Sequence, residues 1–120
     1  MVWKGSAMTK YLISFNEGAM DFSDEEMATV TDAGLAVARE ATEAGVWVFS
    51  GGLTDYRGAS VVAVDGTVGL SHWDAAAGHL GGFAVIDVAS RDEALRWAAK
   101  IAAACHCAQE VRAFVPDPPR

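Results

Sequence analysis

The sequence holds only two cysteines, Cys105 and Cys107, separated by a single residue. Neighbours that close do not make an ordinary disulfide staple, because bridged residues need Cβ atoms that face one another across separate pieces of backbone. A disulfide scaffold is therefore excluded, and a reducing, cytoplasmic setting is expected. Basic charge is also scarce, with 9 Lys and Arg against 16 Asp and Glu and a formal net charge of -7. The cations stand singly, those between residues 8 and 115 being Lys10, Arg39, Arg57, Arg91, Arg96, Lys100 and Arg112. Phosphate backbones and anionic lipid surfaces are bound by clustered Lys and Arg. Neither nucleic acid nor a membrane is expected as a partner. No apolar run approaches the roughly 18 residues of a membrane span, and residues 1–7 lack the apolar centre of a signal peptide. Prolines gather at 116–119, where regular structure should stop.

What is present is the composition of one globular domain. The chain has 120 residues, 52% of them hydrophobic and 21% charged, enough for a single core without metal or disulfide support. The expected layout is an N-terminal extension at 1–7, a domain at 8–115 and a tail at 116–120.

Tyr11, Ile13 and Phe15 alternate on one face of a strand covering residues 10–16. Ser23 followed three residues later by Glu26 has the form of a capping box. Behind it Met27, Val30, Gly34, Val37, Ala38 and Ala41 recur at helical spacing, and Gly45 suits the helix end. A short strand at 46–49 runs into Ser50, Gly51 and Gly52. Residues 59–64 predict another strand, joined by the hairpin signal Asp65-Gly66 to a brief return near 67–70. After an irregular segment at 71–79, residues 82–88 read as a buried strand. Ser90 caps a second helix with Asp92 and Glu93 in its first turn and Ala94, Trp97, Ala98 and Ile101 on its apolar side. A last strand covers 109–115.

The order β-α-β, hairpin, β-α-β predicts an α+β domain of ferredoxin-like type, an antiparallel sheet with two helices on one face. That leaves the other face bare. Trp47, Phe49, Val62, Val64, Phe83 and Val85 are assigned to it, and such a patch calls for a twofold homodimer.

Once these elements are laid out, several motifs together resemble the YCII-related, DGPF-domain family. They are Lys10 to Ile13, the Asp65-Gly66 hairpin, Leu80 to Phe83 before a strand, Ser90 to Ala94 opening a helix, and Glu110 to Arg112. The resemblance covers about residues 8–115 and implies a dimeric α+β barrel. It also implies that some members are encoded beside extracytoplasmic-function sigma factors, and that a related enzyme of chloroaromatic breakdown eliminates chloride. The stretch standing where the family carries its Asp-Gly-Pro-Phe reads Ser71 to His79, with Trp73 in the place of the Phe. The loop after the first strand, residues 17–22, carries no histidine, where YciI-type proteins have theirs. No family site is carried over.

The candidate site comes from the residues themselves. His72, Asp74 and His79 form the one cluster of histidine and carboxylate. An imidazole oriented by a carboxylate is the usual general acid or base, so His72 would serve as base, Asp74 as its orienter and His79 as a second proton carrier or substrate contact. The plainer account is a solvated loop. The same three could ligate a metal, but their spacing fits no fixed motif, and no metal and no cofactor are assigned. Cys105, His106 and Cys107 lack the second pair that a closed zinc site needs and read instead as a helix end. Trp47, Trp73 and Arg57 are candidate contacts to a small-molecule ligand. These residues suggest cofactor-free acid–base chemistry of lyase or isomerase type. The alternative is a non-catalytic dimer that binds a ligand or accompanies a sigma factor.

Overall fold

A computed structural model describes residues 8–20, 22–70 and 79–116, with the side chain of residue 70 left aside. The extension at 1–7, residues 117–120 of the tail, and His72, Trp73 and Asp74 lie outside the described residues. The elements are β1 (Thr9–Asn16), α1 (Met27–Glu43), β2 (Trp47–Gly52), β3 (Ser60–Val62), β4 (Val68–Leu70), β5 (Leu80–Val88), α2 (Arg91–Cys105) and β6 (Glu110–Ala113). Single 3-10 turns at Asp24–Glu26 and Tyr56–Gly58 precede α1 and β3.

Local chemistry places the helix ends. The Glu26 N–H donates to Ser23 Oγ at 3.3 Å, and the Ser23 N–H donates back to Glu26 Oε1 at 3.0 Å. These reciprocal bonds satisfy donors that a helix start otherwise orphans, and they hold the Glu26 carboxyl below its ordinary value. The first turn is a 3-10 turn, so the α-helix proper begins at Met27. Ser90 Oγ accepts the Glu93 N–H at 3.2 Å and starts α2 in the same way. Gly45, at φ +78, ends α1 in the left-handed region that glycine enters without steric cost. His106, at φ 59, takes that role after α2, where the sequence places a helix end.

The main sheet has the order β2-β5-β1-β6, every neighbouring pair antiparallel. With two β-α-β halves interleaved in this way, the domain is α+β and ferredoxin-like. Tyr11 pairs with Ile86 and Ile13 with Ala84, which puts all four side chains on one face. Both helices cover that face, and Ala41, Ala94, Ala98 and Ile101 complete the buried core. Among the described residues no helix is long and apolar enough to cross a membrane.

The other face differs from the sequence expectation in two respects. Phe49, Phe83 and Val85 do share it, joined by Leu12 opposite Val85, and Phe49 is 58% exposed. Trp47 does not. It pairs with Ile86 while Phe49 pairs with Val85, so Val48 is an extra residue between them. A bulge of this kind resets the alternation of a strand, and it turns Trp47 towards the helices, against the core. Val62 and Val64 are also off the sheet, because β3 and β4 form a separate two-stranded ribbon. Its turn closes earlier than the sequence suggests. The Ala63 N–H donates to Thr67 O at 2.8 Å, and Asp65 Oδ1 accepts both the Thr67 N–H and its hydroxyl.

Candidate functional site

The strand ends bring three chemically useful side chains together. Strand β1 finishes at Asn16, opposite Leu80, after an irregularity between Phe15 and Asn16. One residue on, the Glu17 N–H donates to the carbonyl of His79 at 2.8 Å, so Glu17 and His79 are cross-strand neighbours. Gly81 permits this approach. A Cβ on it would stand 2.8 Å from Glu17 Cα and 2.9 Å from Glu17 N, closer than real side chains come.

The third member arrives from the far side of β5. The Leu53 N–H donates to Gly81 O at 2.9 Å, which ties the chain beyond β2 to the same strand end. The following 3-10 turn then presents Tyr56. Its N–H donates to Glu17 Oε2 at 2.8 Å, and its ring stacks on the His79 imidazole with centroids 4.5 Å apart. Glu17, Tyr56 and His79 are all half-buried, and His79 Nε2 is itself buried. A carboxylate, a phenol and an imidazole thus stand in one place, with the carboxylate fixed by a backbone donor and the imidazole by a stacked ring.

Of the residues expected from sequence, His79 is in this cluster. Trp47 lines a cavity between α1 and the sheet. Arg57 lies beside the cluster but is engaged by Asp55, through its Nε to Oδ1 at 3.0 Å and its backbone N–H to Oδ1 at 2.9 Å. The Arg57 guanidinium holds the Asp55 carboxyl down at about 2. Arg57 is held in its charged form mainly by its hydrogen bonds to Asp55, with Glu17 adding to the field. Glu17 and Tyr56 escaped sequence reading, since only the strand register shows that they meet His79.

The helix end after α2 carries no comparable chemistry. Burial pushes the Cys105 thiol up, and nearby Cys107 adds to the effect. Cys107 is also raised by burial, although the Gln109 Nε2 donor at 3.4 Å from its Sγ pulls the other way. Both shifts favour the neutral thiol, and Cys105 packs against the core as a small hydrophobe.

A family model of the YCII-related domain matches residues 9–116. The chain belongs to the YCII-related family. The match takes in every strand and helix described above and both sides of the Glu17–Tyr56–His79 cluster, so the cluster is part of the YCII-related domain and not an appendage. No curated protein matches the chain.

Proposed function

We propose that this YCII-related domain is a small acid–base enzyme of lyase or isomerase type, cytoplasmic and cofactor-independent, with its reacting groups at the end of β1. The observation that carries the reading is the His79 imidazole stacked on Tyr56, beside a Glu17 carboxylate held by the Tyr56 N–H. His79 and Glu17 exchange protons with the substrate, one as acid and one as base, and Tyr56 positions both. His72 and Asp74, from the segment leading into His79, supply a further base and its orienter.

Proton transfer at carbon is visible without knowledge of the natural substrate. A panel of small carbonyl and halogenated acids in deuterated water, followed by proton NMR, reports exchange at the acidic carbon. Exchange by the native protein should fall about 100-fold or more in His79→Ala and Glu17→Gln, the usual share of a positioned acid or base. Unchanged exchange in both variants removes the cluster from the chemistry. No exchange with any compound, together with ligand-induced rises in melting temperature, favours the second reading, a non-catalytic ligand-binding or regulatory protein. The cavity beside α1, with no charged side chain among its described walls, supports that reading.

The working form of the proposal is a homodimer. Phe49 on the bare sheet face is 58% exposed, and Val61, Val62 and Val68 on the ribbon are 47%, 65% and 69% exposed. A lone two-stranded ribbon is marginal in water, and a second copy laid on this face would cover both features. Light scattering at micromolar concentration should give twice the chain mass, and Phe49→Asp should halve it. A monomeric native protein overturns the dimer.

A further inference from the structure

The cavity between α1 and the sheet has a volume of about 530 Å³, inside the roughly 300–1,000 Å³ of small-molecule sites. Its described walls include Phe15, Phe22, Val30, Val37 and Trp47, and no Asp, Glu, Lys, Arg or His is among them. Ser50, Thr31 and Gln109 supply a few polar groups, and the Gln109 side chain is fixed by bonds from its Nε2 to Cys107 O and Sγ.

Two glycines on its wall, Gly34 and Gly52, add no side chain to the space. Gly34 stands inside α1, where glycine is disfavoured against alanine. A Cβ there would meet nothing within 4 Å, so close packing does not demand glycine. Gly52, at the end of β2, is equally open. Bare backbone on both sides leaves a slot walled by aromatic rings, and Met20 and Met27 at its margin are side chains that adapt to varied shapes.

We infer that this cavity binds an uncharged, predominantly aromatic small molecule. Burying a formal charge against such walls would leave it without a partner among the described residues, at a cost that disfavours anions and cations in the interior. The inference goes beyond the proton chemistry assigned to His79, and its test reads binding alone.

Two probes of one ring skeleton decide it, N-phenyl-1-naphthylamine, which is uncharged, and its sulfonated anionic analogue. The uncharged probe should brighten saturably at one molecule per chain, with the anion at least tenfold weaker. Gly34→Leu, which fills the slot, should weaken the uncharged probe tenfold or more. If circular dichroism shows that variant unfolded, Gly34→Ala serves instead, with a loss of twofold or more. Equal affinity for the anion, or binding unchanged in a folded Gly34 variant, overturns the inference.

Discussion

Gly81→Ala is expected to destabilise the domain by about 1–3 kcal/mol, towards the upper end of that range, and to dismantle the Glu17–Tyr56–His79 cluster at the same time. The added Cβ would meet Glu17 Cα at 2.8 Å, Glu17 N at 2.9 Å and Asn16 C at 3.1 Å. All three are backbone atoms, so no rotamer change relieves the contact and the end of β1 must move away from β5. The Glu17 N–H to His79 O bond then lengthens, and the carboxylate is drawn away from the Tyr56 N–H that holds it. The neighbouring glycine gives an internal comparison. A Cβ on Gly82 would come 2.6 Å from Phe15 Cζ, the far end of a ring that borders the α1 cavity and can turn into it. Gly82→Ala should therefore cost less than Gly81→Ala in urea denaturation, and should leave any His79-dependent exchange in place. Equal losses at the two positions would show that the approach of Glu17 to β5 is not what requires glycine.

Ile86→Ala should cost about 2–5 kcal/mol, the usual range for a truncated core isoleucine. Ile86 is fully buried at the middle of β5, with Tyr11 beside it on β1 and Trp47 beside it on β2. Helix α2 closes over the same core through Ala94, Ala98 and Ile101. Those neighbours sit on regular elements and cannot collapse fully into the space left by the lost methyls, so a cavity term adds to the transfer term. Against a total stability of about 5–15 kcal/mol, this is a large fraction. The urea midpoint should drop while its slope stays constant, since the surface exposed on unfolding hardly changes. A loss under about 1 kcal/mol would mean that the core is centred elsewhere.

Features decided by a few adjacent residues were legible in the sequence. The Ser23–Glu26 capping box, the Ser90 cap and Gly45 at the end of α1 all lie where their local chemistry puts them, and the Asp65-Gly66 turn is present although it closes earlier than expected. The ferredoxin-like order followed from the succession of elements. Register was not legible. Nothing in Trp47-Val48-Phe49 announces a bulge, yet that one residue moves Trp47 from the bare face to the helix face. Alternation in residues 59–64 shows a strand but not which sheet it joins, so Val62 and Val64 were assigned to the wrong one. The candidate site shares this fate. His79 was visible as a histidine in an irregular segment, whereas Glu17 and Tyr56 become its neighbours only through the β1–β5 pairing and the turn beyond β2.

The Val48 bulge has a second effect, because β2 is an outer strand of the sheet. An incoming strand needs an even row of free donors and acceptors along such a rim, and one supernumerary residue breaks that rhythm. Open-ended fibre growth by strand addition is thereby discouraged along this rim. In the homodimer proposed above, the copies would meet instead on the flat of the sheet, where association closes on itself and stops.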